Sequence, residues 1–164
     1  MVAYVTRVPA GFVGQVSRFD SITTQPEIVD SSTPPTAFGS VVKLVSGKVQ
    51  PVASGDAGSV TYGLLVNPYP HQSSTNGLGT AATPPTSGVV TVMKRGYLNV
   101  KLVVGTAAKN GQVYVVTTAG GSVVVGDIVT STSPAGGGTG VAVTGAFFMG
   151  PADANGVVEV AFNI

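Results

Sequence analysis

Turn-forming residues interrupt the hydrophobic pattern of this chain so often that a helical fold is not expected. The stretch 37–66 is representative: Val41–Val45, Val49–Val52 and Ser59–Val66 are separated by Ser46–Lys48 and Ser54–Gly58. Runs rich in Val and Tyr between Gly, Ser and Asp are typical of strands joined by tight turns. No window has the spacing of an amphipathic helix, so the stretch predicts two or three β-strands.

The remainder of the chain repeats this pattern. Residues 89–104, VVTVMKRGYLNVKLVV, predict a β-hairpin with a turn or bulge at Lys94–Gly96. In that hairpin Lys94, Arg95 and Lys101 are expected to form a basic cluster, either solvated at the turn, which is favoured, or in contact with acidic groups of a partner. Residues 131–140 contain four glycines and are expected to form a flexible loop. Further strands are predicted at Gln112–Thr117, Ser122–Val125, Val141–Met149 and Val157–Ile164.

These patterns predict an all-β fold of about eight to ten short strands, either a sandwich or a barrel, of jelly-roll or β-tulip-like type. Residues 1–36 differ from the rest, because Pro26, Pro34 and Pro35 interrupt a stretch without periodicity. A short strand is predicted within 2–5. We therefore expect an extended N-terminal arm over residues 1–36 and a β domain over residues 37–164.

Charge is scarce in this chain. Only 9% of the 164 residues are charged and the formal net charge is +1, against about a quarter charged in ordinary soluble domains. Such a surface is typical of a protein covered by other subunits, and it does not favour binding to nucleic acid or to a membrane. The chain has no cysteine, which leaves the redox compartment undetermined. No continuous apolar run lies near the N-terminus, so we expect cytoplasmic synthesis without export.

No residue pattern of an active site is present. The chain lacks the phosphate-loop, nucleophile-elbow and zinc-protease motifs, and several of its seven carboxylates fall in predicted turns. The single histidine, His71, lies in a predicted loop over residues 67–88, close to Tyr69 and Gln72. No second ligand stands at metal-binding spacing from it. We therefore expect no catalytic residues, no metal and no cofactor, and the protein is not expected to be an enzyme.

Several short motifs resemble the cement, or head decoration, proteins of tailed bacteriophages. The resemblance includes an N-terminal stretch that ends in an aromatic residue plus Gly, at Phe38–Gly39, and a Gly/Val-rich β body. It continues with Tyr62–Val66 and with the Gly-Asp-Ile-Val turn at Gly126–Val129. Val42 belongs to the first of these motifs, and the looser elements are Val92 with Gly96 and Val100, and the step from Gly111 to Tyr114.

The resemblance implies a structural protein of the virion. Such proteins bind the outer face of the capsid and tie neighbouring major capsid subunits together against internal pressure, as trimers or dimers, with a homotrimer favoured here. The partners implied are the major capsid protein and further copies of the chain.

Aromatic residues and arginine are frequent interface anchors. The residues expected at an interface are Phe12, Arg18, Phe19 and Ile22 of the arm, together with Phe147 and Phe148. Consecutive residues of a strand face opposite sides, so one of the two phenylalanines must leave the core. The apolar residues of the arm need burial either on their own domain or on a neighbouring molecule, and the sequence leaves both open.

A second reading is a β-rich adhesion or receptor-binding module of a phage tail or spike. In that case the loops 67–88 and 131–140 would contact glycans through Ser, Thr, Asn and Gly. Stacking aromatics are usual in glycan sites, and only Tyr69 is available in either loop.

Overall fold

The computed structural model describes residues 11–68 and 83–164 of the chain. The strand predicted within 2–5, and His71 with Tyr69 and Gln72, lie outside these residues. Within the described ranges, no helix is long and apolar enough to cross a membrane.

The described residues form an all-β fold, as predicted, with nine strands and one short 3₁₀ helix at Gly58–Val60. Neighbouring strands are antiparallel except β5 and β7, which run parallel. The strands are β1 (Val16–Ile28), β2 (Val41–Val45), β3 (Lys48–Pro51), β4 (Gly63–Leu65), β5 (Val89–Val104), β6 (Gln112–Thr118), β7 (Ile128–Val129), β8 (Thr139–Phe148) and β9 (Val157–Phe162).

The long strand β5 belongs to two closed rings of strands. Its C-terminal part pairs with β9 and β7, and the order β5-β7-β6-β8-β9 returns to β5. We call this ring the large barrel. The N-terminal part of β5 pairs with β4 on one edge and with β1 on the other. Val92 and Met93, for example, each have a partner in both strands. The order β1-β5-β4-β2-β3 then closes through a bridge between Val29 and Val49, and we call it the small barrel.

Two hydrophobic cores fill this arrangement. The larger core includes Leu98, Val100 and Phe148 of the large barrel, and the smaller one includes Val29, Val42 and Val49. Strands β2, β4 and β5 separate the cores, and adjacent residues on them point to opposite sides. Val41–Val42, Leu64–Leu65 and Val92–Met93 each contribute one side chain to each core. The doubled apolar residues in the sequence thus mark strands that are buried on both faces.

The hairpin predicted over residues 89–104 is wrong, because those 16 residues form the single strand β5. Lys94–Gly96 continue the strand, since β1 and β9 supply hydrogen-bond partners on both sides of this region. The irregularity lies in β1 instead: Arg18 pairs with Tyr97 and Thr23 with Arg95, so residues 19–22 loop out of the ladder. We call residues 19–22 the β1 bulge.

One other prediction fails beside the glycine-rich turns. Residues 122–125 form no strand, and only an isolated bridge joins Gly120 to Val123. The segment 131–140 is a loop as far as Gly138, where β8 follows. Its three consecutive glycines at 136–138 pack against the turn at Gly120–Gly121, where Ser122 N–H donates to the Gly136 carbonyl at 2.8 Å. The glycines here allow two backbones to approach closely. A glycine-rich sequence by itself does not show whether its glycines serve close packing or flexibility.

Candidate interaction surface

Aspartates of the described residues serve mainly in turns. No group of three or more His, Asp or Glu side chains that could hold a metal occurs in this part of the chain. Four aspartates accept backbone N–H groups in turns, as the sequence predicts. These are Asp30 from Ser32, Asp56 from Ala53, Asp127 from Val124, and Asp153 from Asn155 and Val157.

A charged cluster joins β1 to the small barrel. The Tyr62 hydroxyl contacts Glu27 at 2.5 Å and Gln25 at 3.0 Å, and the Lys94 ammonium lies 3.1 Å from the centroid of the Tyr62 ring. Burial lowers the pKa of Lys94, and the hydrogen bond with Glu27 raises the pKa of Tyr62. Lys94 also donates to the Tyr62 carbonyl. Lys94 is therefore a packed residue, and the solvated basic cluster predicted for it is wrong.

The β1 bulge holds the most exposed aromatic side chain of the described residues. Phe19 is 78% exposed, whereas Ile22 packs against the larger core. Gly96 makes this possible, because a Cβ atom there would lie 3.3 Å from the Ile22 Cα. The bulge is thus fixed at one end by Ile22, and it projects Phe19 outward.

A row of side chains crosses the outer face of the large barrel beside this bulge. The register pairs Arg18 of β1 with Tyr97 of β5, Tyr97 with Ala161 of β9, and Ala161 with Phe147 of β8. Directly paired residues share one face of a sheet. We call Arg18, Tyr97, Ala161 and Phe147 the aromatic face. Phe147 is 38% exposed, and the small Ala161 lies between the two rings.

The charges on this face are paired. Arg18 donates to Glu159 through Nε at 3.0 Å and through a terminal nitrogen at 2.7 Å, and the Ser17 hydroxyl donates to the same carboxylate at 2.6 Å. The guanidinium lies 4.2 Å from the centroid of the Tyr97 ring. The hydrogen bond to Glu159 raises the pKa of Arg18.

A second exposed apolar site lies at the other end of β5. Ile28 of β1 pairs with Val89 of β5, and both are more than half exposed. Val89 also lines a shallow depression with Pro68 and Pro85. We call Ile28, Val89, Pro68 and Pro85 the apolar end patch. Its four defining side chains carry no charge or hydrogen-bonding group.

The structure brings three of the expected interface residues together: Arg18, Phe19 and Phe147 lie on or beside the aromatic face. Ile22 supports the bulge, and Phe12 is half-buried, with its N–H donating to the Gln15 side chain at 3.2 Å. Phe148 is 1% exposed within the larger core, so it is the phenylalanine that stays inside. Tyr97, Ile28 and Val89 were missed as interface residues, as was Ala161, which is only 8% exposed, because only the strand register places them on these faces.

Comparisons with known proteins agree with this architecture. The model of the family described as structural cement protein (E217 gp24/Pam3 gp6) matches residues 2–163. Among solved structures, a chain of the capsid of Myoviridae Phage XM1 is similar, with 20% identity and a TM-score of 0.69. That similarity covers 98% of this chain and 95% of the other, and it is evidence of a shared fold. No curated protein matches the chain significantly.

Proposed function

The chain belongs to the family of phage structural cement proteins, and from that premise we propose that it binds the outer surface of an icosahedral phage capsid. There it cements neighbouring major capsid subunits against internal pressure. It is a component of the virion exterior, made in the host cytoplasm, with no catalytic activity and no cofactor. Its partners are the major capsid protein and other copies of itself, as a homotrimer or, second, a dimer.

The observation that carries this proposal is the presence of two separate exposed apolar sites. The aromatic face lies on the large barrel, and the apolar end patch lies on the small barrel. A protein that cements must hold two neighbours at once, which requires two contact surfaces. Exposed aromatic and aliphatic residues on a chain with 9% charge suit such contacts.

Strand β5 supports the mechanical part of the proposal. It connects Val89 of the end patch to Tyr97 of the aromatic face without a break. At about 3.3 Å per residue, the two Cα atoms are separated by up to roughly 26 Å. A load along β5 acts across hydrogen bonds that are perpendicular to the strand, so many bonds to β1, β4 and β9 share it. A continuous, doubly paired strand therefore suits a tie between two subunits.

We propose that the segment 1–36 is the part of the chain that reaches a neighbouring molecule. Its β1 strand pairs with β5 of the same chain, while Phe19 points away from it. We propose that Phe12, Arg18, Phe19 and Ile22 act from this segment, either in contact or by supporting the bulge, and that Phe147 contributes from β8.

The proposal is tested by mixing the purified protein with matched capsids that have been stripped of their outer protein, followed by sedimentation. We expect saturable co-sedimentation at a fixed copy number per capsid, and that number identifies the symmetry axis occupied. Absence of binding at micromolar protein would contradict the proposal. Binding to glycans under the same conditions, with none to capsids, would instead favour an adhesion module.

A further inference from the structure

The charges of Arg18 and Glu159 at the aromatic face cancel each other before any partner arrives, and Asp20 of the β1 bulge is a further charge that acts on Arg18. Both oxygens of Glu159 accept hydrogen bonds from Arg18, and one of them also accepts from Ser17. The guanidinium also stacks on Tyr97. The Arg18 guanidinium thus uses one edge to hydrogen-bond Glu159 and one face to contact the Tyr97 ring. An acidic partner would have to compete with a carboxylate that already makes a bidentate contact.

We propose that this face docks onto an uncharged, apolar patch of the major capsid protein, and that Arg18 is not an anchor for an acidic group. The inference rests on the proposed function and names the chemistry of its contact. Covering a charged pair is least costly when both charges are already paired and hydrogen-bonded. The apolar parts of the face are Phe147, Tyr97 and the exposed Phe19 beside them.

The order of residues across the face favours an apolar contact. Ala161 lies in register between Tyr97 and Phe147, so a small residue separates two rings. The face therefore presents two aromatic rings with a nearly buried alanine between them. Phe19 adds a second contact at the edge of the face, on a bulge that Ile22 holds in place. Contacts of this kind derive their affinity from apolar area and shape rather than from charge.

Salt dependence is the first test. The dissociation constant for stripped capsids is measured by co-sedimentation at about 0.1 M and about 1 M salt, where the screening length falls from about 10 Å to about 3 Å. We expect a change of about twofold at most, since Arg18 and Glu159 are already paired with each other and the bulge adds only the single charge of Asp20. A loss of about tenfold or more at high salt would overturn the inference while leaving the proposed function standing. Absence of binding at both salt concentrations would overturn both.

A pair of charge variants gives an independent test. In the double variant Arg18→Gln/Glu159→Gln both charges are gone, and we expect capsid affinity within about threefold of wild type. The single variant Arg18→Gln leaves Glu159 uncompensated and should bind more weakly than the double variant. If Arg18 instead meets an acidic partner, the double variant will lose as much affinity as the single one, and the inference fails.

The apolar anchors are tested with a matched surface control. Phe19→Ser removes a side chain that is 78% exposed, so folding should be unaffected, and we expect at least about tenfold weaker capsid binding. Val124→Ser removes an exposed apolar side chain outside the face, and wild-type binding is expected. Equal binding by Phe19→Ser, Phe147→Ser and wild type would overturn the inference.

Discussion

Individual glycines decide which backbones of this protein can touch. Gly120 is the clearest case: a Cβ atom there would lie 2.4 Å from the Gly138 nitrogen. Gly121 is similarly close to the Gly136 carbonyl oxygen, at 2.2 Å. Backbone atoms cannot swing aside as a flexible side chain can. The two glycine-rich turns therefore pack together only because these positions lack side chains.

We expect Gly120→Ala to lower the free energy of unfolding by about 1–3 kcal/mol, because the methyl group forces the two turns apart. Gly111→Ala is the matched control. The nearest atom to its added Cβ, the Ala108 carbonyl oxygen, lies at 3.0 Å, so we expect a smaller loss. Denaturant unfolding of both variants measures the difference. Equal stabilities of the two variants would contradict the packing argument.

Asp30 links stability to pH. Its pKa is lowered from 3.8 to about 2, first by the hydrogen bond from the Ser32 hydroxyl, then by the Ser32 N–H and the Gln50 amide. Because the folded-state pKa lies below the unfolded value, the carboxylate stabilises the fold above pH 3.8, and this contribution is lost as the pH falls through about 2. Gln50 is on β3, so the contact helps to close the small barrel.

We therefore expect Asp30→Asn to be less stable than wild type at neutral pH, and the difference to shrink as the pH falls to about 2. Unfolding by denaturant at pH 7 and at pH 2 gives the two differences. Asp20→Asn, in the exposed bulge, is the control for loss of one negative charge. A stability difference that is the same at both pH values would contradict the assignment.

At the scale of elements, β5 and the β1 bulge depend on each other. Gly96 has a φ of +136°, and an added Cβ would meet the Met93 sulfur at 3.2 Å and the Ile22 Cα at 3.3 Å. Its missing side chain gives Ile22 a place on β5. Residues 19–22 can then leave the ladder without detaching β1, and Phe19 is exposed as a consequence.

For Gly96→Ala we expect a loss of about 1–3 kcal/mol in stability, from backbone strain and the displaced bulge, together with weaker capsid binding. Gly47→Ala, in the turn between β2 and β3, is the matched control, since Gly47 also has a positive φ, of 76°, but open space around its Cβ position. It should be strained yet bind capsids normally. Normal capsid binding by Gly96→Ala would show that the position of the β1 bulge does not affect binding, and it would refute this prediction.

The elements that the sequence predicts correctly are those whose signals are local. Strands β6, β8 and β9, and the turn between β2 and β3, follow from alternation and from Gly- or Asn-containing breaks. Strand β5 was predicted as a hairpin because Lys94–Gly96 resembles a turn, and its continuation depends on partners far away in sequence. The aromatic face could not be predicted from the sequence for the same reason. Tyr97 and Ala161 join Arg18 and Phe147 only through the register of four strands that are distant in sequence.

At the scale of the whole molecule, two barrels share one strand and each carries an exposed apolar site. A chain with a net charge of +1 and little surface charge has weak electrostatic guidance toward a partner. Its contacts must derive from apolar area and from repetition over the capsid, where many modest interactions add up. A variant that lacks one of the two apolar sites should therefore still bind the capsid through the remaining site, but it should no longer link neighbouring capsid subunits.

The double variant Ile28→Thr/Val89→Thr isolates that tie, because threonine keeps the branched shape favoured in strands and adds a polar group to the end patch. It should fold and should still bind capsids through the aromatic face. Sedimentation at saturating protein verifies binding before any mechanical test. Failure of this variant to bind at all would show that the end patch is itself the main contact.

The most direct test of cementing is the temperature at which DNA-filled, stripped capsids release their DNA, followed with a DNA-binding dye. Wild-type protein at saturating copy number is predicted to raise the release temperature, and the bound Ile28→Thr/Val89→Thr variant to raise it clearly less. An unchanged release temperature with wild-type protein fully bound would contradict the claim that this chain cements the shell.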